Sequence, residues 1–203
     1  MSTDFRYPQD DTVTASEGLT PSQTIGPFFK FALPYDLGSG VVGPDHPGAF
    51  RLYGQVLDGD GQPIPDSMLE IWQADPNGDL VSTPGIYDEP GGDRFRGFGR
   101  CGTDEAGRYE FRTVKPGAVP TVDGHPQAPY VAMAVFARGM LRQAVTRVYF
   151  DDEAEANAAD PLLSSVEEER RRTMIANRVE DGYRFDVRVQ GADETVFLDV
   201  FAR

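Results

Sequence analysis

The chain contains few residues of the kinds that bind metals or form disulfides. Its 203 residues include one cysteine, Cys101, and two histidines, His46 and His125. A single cysteine excludes an internal disulfide and is typical of a reducing compartment, so we expect a cytoplasmic protein. Both histidines lie in Gly- and Pro-rich sequence, where a lone histidine is more often exposed than a metal ligand. Cys101 has no histidine near it in sequence, and we expect a buried structural thiol.

Other absences exclude whole classes of protein. No apolar run is long enough to cross a membrane, and the first residues lack the apolar core of a signal peptide. The net charge of −14 argues against nucleic acid and anionic membranes as partners. Distant charges are screened beyond about 8–10 Å, so one local arginine can still attract an anionic ligand. No P-loop, strand-bound Gly-x-Gly-x-x-Gly or Ser-His-Asp arrangement is present, which leaves nucleotide binding and hydrolysis unsupported.

The remaining composition predicts one globular domain built from short strands. Hydrophobic residues make up 39% of the chain, and its 22 glycines and 16 prolines follow no period. Segments of alternating or continuous apolar character are separated by turn residues, which predicts an all-β fold, a two-sheet β-sandwich. The turn at Asp58-Gly59-Asp60-Gly61 lacks the ligands that continue a calcium loop. The predicted strands are 50–56, 68–74, 108–114, 130–136, 143–150, 183–189 and 195–201.

The two ends of this pattern differ from the middle. Residues 1–19 are polar, and we expect a mobile N-terminal segment ahead of a domain at 20–203. Within that domain, residues 20–49 are predicted to form an extended arm and loop. The arm carries aromatic side chains that need a surface to cover, either this chain's own sheet or a partner, and the sequence leaves both open. These residues are Phe28, Phe29, Phe31 and Tyr35.

One short surface helix is predicted at residues 162–176. Its charge run places Glu167 four residues before Arg171 and Glu168 four residues before Arg172, the favourable order for helix ion pairs. A run of this kind is typical of a solvated helix face.

Several motifs, in order, resemble the intradiol ring-cleavage dioxygenases, which open catechols with non-haem ferric iron. Any one of them alone would be weak, but together they cover the chain from about Thr20 to its end. The segments that carry the resemblance are 20–29 (TPSQTIGPFF), 69–75 (LEIWQAD), 107–117 (GRYEFRTVKPG), 136–139 (FARG), 146–157 (TRVYFDDEAEAN), 183–191 (YRFDVRVQG) and 194–197 (ETVF).

The resemblance also implies that the metal ligands of the family are missing here. In that family the Lys-Pro-Gly turn leads to a ligating tyrosine, and a His-x-His pair follows about a dozen residues on. The corresponding positions read Val119 and then Tyr130 and Ala132. Tyr87 lies in the region of the family's first tyrosine ligand, but one tyrosine alone would not hold ferric iron. The resemblance therefore implies that Fe(III) is carried by a homologous iron-binding beta subunit, and that this chain alone binds none and is inactive.

The match is better to the iron-free chain of a two-chain family member than to the others. That likeness implies that Thr24, Gly26 and Pro27 line the partner's substrate pocket and that Arg138 reaches the same site. It further implies protocatechuate and O2 as substrates, and a higher αβ oligomer. Read without the resemblance, the first three residues are a rigid turn and Arg138 is a surface arginine at a hairpin end.

Two other classes of function remain open from the residues. One is a transthyretin-like β-sandwich that binds a ligand or protein without chemistry. The other is a self-contained dioxygenase with a divergent site, against which the missing histidines count heavily.

Overall fold

The computed structural model describes residues 23–80, 94–121 and 123–200. Most of the regular structure in these ranges is strand, which confirms the prediction of a mainly β fold. The strands are β1 (Phe50–Leu57), β2 (Met68–Trp72), β3 (Phe98–Gly102), β4 (Arg108–Thr113), β5 (Val131–Phe136), β6 (Ala144–Phe150), β7 (Ile175–Val179), β8 (Gly182–Arg184) and β9 (Val187–Arg188).

The helices are all short. Within the described ranges, none is both long and apolar enough to serve as a membrane span. They are α1 (Phe28–Ala32), α2 (Ala154–Ala159), α3 (Pro161–Ser165), α4 (Glu168–Arg171) and a 3-10 turn (Arg172–Met174).

The single helix predicted at 162–176 is wrong. Val166 and Glu167 have extended backbones, with ψ of 141° and 133°, so the chain leaves helical geometry between α3 and α4. The charges that suggested i,i+4 pairing act elsewhere: Arg172 pairs with Asp193 at 2.6 Å, and Arg171 donates to backbone carbonyls. The last residues of the predicted helix belong to β7.

Hydrogen bonds join the strands in one path, in the order β3-β2-β5-β6-β7-β8-β1-β4, with β9 also on β1. Most neighbours are antiparallel, but β6–β7, β1–β8 and β1–β9 are parallel. The sheet curls so that side chains from both halves of the path meet in one core. The prediction of two separate sheets is not confirmed, because β7 links the halves through its pairing with β6 and β8.

The core follows from the alternation of side chains along each strand. On β5 the side chains of Val131, Met133 and Val135 are fully buried, while the intervening residues face the other way. Other strands of the path contribute buried residues to the same cluster in the same alternating manner. These include Leu52 and Val56, Leu69 and Ile71, Tyr109 and Phe111, and Val148 and Phe150.

Some predicted strands are shorter or absent. The segment 183–189 is split into β8 and β9, which both pair with β1. Residues 195–200, the described part of the last predicted strand, form no regular strand, although Thr195 and Leu198 donate to the Arg188 and Val145 carbonyls. Strand β3 was not predicted, because its sequence FGRCG has two glycines and little alternation.

The described part of the arm is not simply extended. It forms the one-turn helix α1, and further along, Val41 and Val42 are fully buried. Val41 donates to the Arg112 carbonyl at 2.8 Å, and Arg112 donates back to Ser39 at 3.0 Å. This segment is therefore anchored beside β4 before β1 begins.

Three turns share one arrangement of an aspartate and a glycine. The Asp58 carboxylate accepts hydrogen bonds from the backbone of Asp60 and Gln62, and Gly61 has φ of +77°. The Asp58 segment is thus a turn, as predicted. The same arrangement recurs at Asp75 with Gly78 and at Asp104 with Gly107.

The stability of the fold should depend on Asp160, whose carboxylate is fully buried. It accepts from the backbone of Leu163 and Ala128 and from the Tyr149 hydroxyl, at 2.8, 3.0 and 3.1 Å. Burial raises the pKa of Tyr149 above its usual value, so this hydroxyl remains a donor. Asp160→Ala should lower the free energy of unfolding by about 2–5 kcal/mol, because buried donors lose their acceptor and α3 loses its cap.

Urea denaturation of the wild type and the variant measures this loss. Asp193→Ala, which removes a carboxylate from an exposed pair, is the matched control and should cost less than about 1 kcal/mol. Equal losses in the two variants would contradict the role given to Asp160.

Candidate functional site

The three positions that the resemblance assigns to lost metal ligands come together in the structure. Val119, Tyr130 and Ala132 line one small pocket of about 220 Å³, together with Trp72, Gln73, Ala74, Leu80 and Gly97. Tyr130 and Ala132 reach it because they alternate with the buried residues of β5 and so face away from the core. We call this the relict pocket.

Backbone packing fixes the loop that carries Val119. Gly117, in the Lys-Pro-Gly turn, donates to the Asp75 carbonyl at 2.8 Å. A Cβ at Gly78 would lie 2.3 Å from the Ala118 carbonyl oxygen, and Gly78 has φ of +88°. The turn after β2 and the loop after β4 are therefore in contact through their backbones, which leaves no space for side chains there. This contact gives the Lys-Pro-Gly turn a packing role that needs no metal.

A cation and an amide lie beside the relict pocket. The Arg147 guanidinium lies 3.9 Å from the centre of the Tyr130 ring, close enough for a strong cation–π contact. Arg147 donates to the Gln127 side chain at 2.7 Å, and Gln127 donates to the Val119 carbonyl at 2.9 Å. Arg147 reaches this place because it is the cross-strand partner of Ala132 in the β5–β6 ladder.

The residues at the relict pocket do not fit ferric iron. Val119 and Ala132 have no donor atoms, and the Tyr130 ring already packs against a guanidinium. Neither histidine lines this pocket: the His46 ring contacts the Pro47 carbonyl at 2.8 Å, and His125 is an exposed loop residue. In the described part of the chain, no group of three or more His, Cys, Asp and Glu is placed to hold a metal. Tyr87 lies outside the described residues.

The four predicted pocket residues lie at a different place, near the far end of the β5–β6 hairpin. Ile25 donates to the Met140 carbonyl at 2.6 Å, and Gly139 donates to the Ile25 carbonyl at 3.3 Å. These bonds set Thr24, Gly26 and Pro27 alongside the turn that carries Arg138. We call this group the hairpin-end cluster. The Arg138 side chain is 64% exposed, and among the described residues no atom would lie within 4 Å of a Cβ at Gly26, so this part of the described surface has room for a ligand.

Arg138 has one carboxylate beside it. Its Nε lies 2.9 Å from Oδ2 of Asp66, whose side chain is only 10% exposed. Met68 of β2 is opposite Phe136 of β5, and the turns that carry Asp66 and Arg138 lie just beyond this last ladder pair. The guanidinium is therefore held at a defined point rather than swinging freely from the turn.

The arm aromatics, three on helix α1 and Tyr35 just after it, divide into rings that pack on this chain and rings that are exposed. Phe29 stacks on Phe136, with ring centres 5.9 Å apart, and the Tyr35 ring faces the Arg96 guanidinium at 5.7 Å. Phe28 and Phe31 are instead 76% and 72% exposed. Two large exposed aromatic side chains on one turn of helix are typical of a contact surface.

Two other features carry no sign of function. A wider groove of about 610 Å³ is lined by residues of β1 and β4, and two of its arginines, Arg51 and Arg184, are paired with carboxylates. Arg51 pairs with Glu110 at 2.6 Å and also with Asp181, so the groove concentrates no charge of one sign. Cys101 lines it, and burial raises the pKa of this thiol to about 12, so the thiol stays protonated as a structural residue would.

The sequence did not reveal Asp66, Arg147 or Gln127. Arg147 is the cross-strand partner of Ala132, and a correct β5–β6 register would have found it. Asp66 lies in the turn before β2, outside the ladder. Gln127 lies in a Pro-rich loop, where no periodicity of the sequence marks it.

Comparison with known proteins gives one consistent group. A family model described as Dioxygenase matches residues 41–191. The chain is 43% identical over 197 residues to the protocatechuate 3,4-dioxygenase alpha chain of Pseudomonas putida, covering 89% of this chain and 96% of that one. It is 46% identical over 198 residues to the alpha chain of the Burkholderia cepacia enzyme, covering 89% and 97%. Identity to the B. cepacia beta chain is lower, 33% over 187 residues, covering 86% and 77%.

Among solved structures, catechol 1,2-dioxygenase from Pseudomonas arvilla C-1 superposes with a TM-score of 0.53 at 22% identity. The match covers 81% of this chain and 58% of that one. At this identity the likeness concerns the fold alone, and it agrees with the curled β architecture described above.

We predict that the chain purified alone binds less than about one-tenth of an equivalent of iron and cleaves no catechol, because the relict pocket offers one phenol where ferric iron needs several hard donors. Metal analysis and the visible absorbance of tyrosinate-bound iron measure this directly. A catechol 1,2-dioxygenase purified in the same way is the positive control. Near-stoichiometric iron with a tyrosinate absorbance in this chain would contradict the prediction.

Proposed function

The chain belongs to the intradiol ring-cleavage dioxygenase family, and we propose that it is the iron-free alpha chain of a protocatechuate 3,4-dioxygenase. Its partner would be a homologous beta chain that holds Fe(III) and, with O2, cleaves protocatechuate to 3-carboxy-cis,cis-muconate. The β-ketoadipate route, a cytoplasmic location and assembly of several αβ units are parts of the same proposal.

One observation carries the proposal more than any other. The residues expected at a substrate pocket lie near one another at one end of the β5–β6 hairpin, although more than 100 positions separate Thr24, Gly26 and Pro27 from Arg138. This cluster is at the opposite end of β5 from the relict pocket. A pocket-forming group away from the chain's own former site supports the idea that it completes the site of another chain.

In the proposed complex, the partner's Fe(III) would supply activation of the catechol ring for reaction with O2. The residues of this chain have a different task. Thr24, Gly26 and Pro27 would form one wall that orients the ring and excludes water. Arg138 would bind the carboxylate of protocatechuate, since a guanidinium stays charged at every relevant pH and matches a carboxylate in shape. Its local charge matters because the chain as a whole carries −14.

The exposed aromatics support an obligate partner. Burying one phenylalanine side chain stabilises a complex by about 1.5–3 kcal/mol, so Phe28 and Phe31 together are enough to matter in an interface. They lie on the same segment as Thr24 and Pro27, so the proposed interface would lie directly beside the proposed pocket wall. Obligate interfaces are larger and more apolar than transient ones.

The first test of the proposal is co-expression of this chain with a beta chain that retains the tyrosine and His-x-His ligands. We expect the two to purify together, to contain iron and to cleave protocatechuate. A chain that purifies as a stable homo-oligomer and leaves the beta chain fully active by itself would favour a ligand-binding module instead.

Arg138→Ala in the assembled complex should lower kcat/KM for protocatechuate by about 10- to 150-fold. This range corresponds to one hydrogen bond to a charged group, worth about 1.5–3 kcal/mol. Iron content should stay at the wild-type level, because Arg138 is not proposed as a ligand. Steady-state kinetics with metal analysis make the measurement, and Arg142→Ala, in the same hairpin turn, is the control. Unchanged kinetics at full iron loading would show that Arg138 is only a surface residue.

The arm is tested by the double substitution Phe28→Ala and Phe31→Ala. We expect at least a tenfold loss of affinity for the beta chain, equivalent to about 1.4 kcal/mol, because an apolar contact is removed from the interface. Analytical ultracentrifugation or co-purification measures the association. Leu80→Ala, which truncates a side chain that is 73% exposed at the relict pocket, is the matched control. If the double variant and the control associate equally well, these aromatics do not belong to the interface.

A further inference from the structure

Asp66 is a buried carboxylate that needs a charged partner. Both of its side-chain oxygens are shielded from water, and neither makes a well-aligned hydrogen bond. Its neighbours do not neutralise it: the Pro65 carbonyl accepts from Lys30 at 2.6 Å, and Ser67 is a fully buried neutral residue. A carboxylate out of water is costly unless a cation lies beside it.

In the described part of the chain, the cation that pairs with Asp66 is Arg138. The contact joins Nε of the guanidinium to Oδ2 of Asp66 at 2.9 Å. Asp66 lies two residues before β2 and Arg138 two residues after β5, and the last ladder pair at this end is Met68 with Phe136, so the antiparallel pairing of the two strands brings the two turns near each other. Asp66 is fixed by its burial, so the mobile member of the pair is Arg138, whose side chain is 64% exposed.

The way Arg138 is held leaves its other donors available. Asp66 contacts Nε of the Arg138 guanidinium. The two terminal nitrogens of Arg138, which carry four N–H groups, follow Nε at the end of the side chain. A carboxylate can accept two parallel hydrogen bonds from such a fork. An exposed arginine without a partner would have to lose many rotamers on binding, and the contact with Asp66 has already removed part of that freedom.

We infer that Asp66 is a positioning residue: it holds Arg138 with its terminal nitrogens toward the substrate carboxylate and so contributes to the preference for catechols that carry one. The inference rests on the proposed function. It adds a residue that lies behind the pocket wall and acts only through Arg138. Asp66 touches no substrate in this scheme.

The test uses the αβ complex with four versions of this chain: wild type, Asp66→Asn, Arg138→Ala and the double variant. Kinetics are measured with protocatechuate and with catechol, the same ring without the carboxylate, as substrate or as competitive inhibitor. Asp66→Asn should raise KM for protocatechuate about tenfold with little change in kcat, while the affinity for catechol stays within about twofold. In the Arg138→Ala background the same substitution should have no further effect, because the residue through which Asp66 acts is gone.

Two further variants complete the experiment. Asp193→Asn breaks an exposed pair with Arg172 elsewhere and should leave both substrates unaffected. Asp66→Glu keeps the charge but shifts the guanidinium by the length of one methylene group. It should raise KM for protocatechuate by a smaller factor than Asp66→Asn, and it serves as the measurement if the Asn variant fails to assemble.

The possible outcomes distinguish a failure of the proposed function from a failure of the role given to Asp66. A wild-type complex that does not cleave protocatechuate overturns the proposed function, and this inference with it. An active wild type overturns the inference alone if Asp66→Asn weakens protocatechuate and catechol equally, or if its effect persists without Arg138. An assembled Asp66→Glu complex with wild-type KM has the same meaning.

Discussion

The two backbone hydrogen bonds between Ile25 and the turn after β5 are the constraint on which the candidate site depends. They hold the segment 24–27 against the turn that carries Arg138. With them, residues from the beginning and the middle of the chain become one surface, and α1 begins directly beside it. Because the bonds use the backbone, they tolerate many side chains, so the cluster's chemistry can vary while its geometry is kept.

The β5 ladder explains how one strand takes part in two sites. Its first end contributes Tyr130 and Ala132 to the relict pocket, and its register with β6 brings Arg147 there. Its other end leads to Arg138, and the turn before the neighbouring strand β2 supplies Asp66. Each end therefore has an arginine, one over a phenol ring and one beside a carboxylate. The difference in partner decides what each cation can do. Arg147 packs against the Tyr130 ring and bonds Gln127, while Arg138 keeps its terminal donors available.

The sequence predicted the parts of the fold that depend on local alternation. β1, β4, β5 and β6 were located to within a residue or two, and the motifs around Lys115 indicated the family. It failed where tertiary contacts decide: β7 forms because β6 and β8 lie on either side, although its residues end a run of helix formers. For the site, the likeness to the family supplied Arg138 and the three lost ligand positions. Asp66 and Arg147 could not be found in this way, because their contacts form only when the strands pair and bring distant residues together.

The exposed rings of Phe28 and Phe31 have a consequence for how such a protein is made in the cell. Under the proposed assembly, every copy that has not yet bound its partner presents an apolar surface to other unassembled chains. Surplus copies would then be removed by chaperones and proteases or would aggregate, so the yield follows whichever chain is made in the smaller amount. Because of these two aromatic rings, the amount of complex depends on the production of both polypeptides. Equal translation of the two messages would minimise the surplus of unassembled chain.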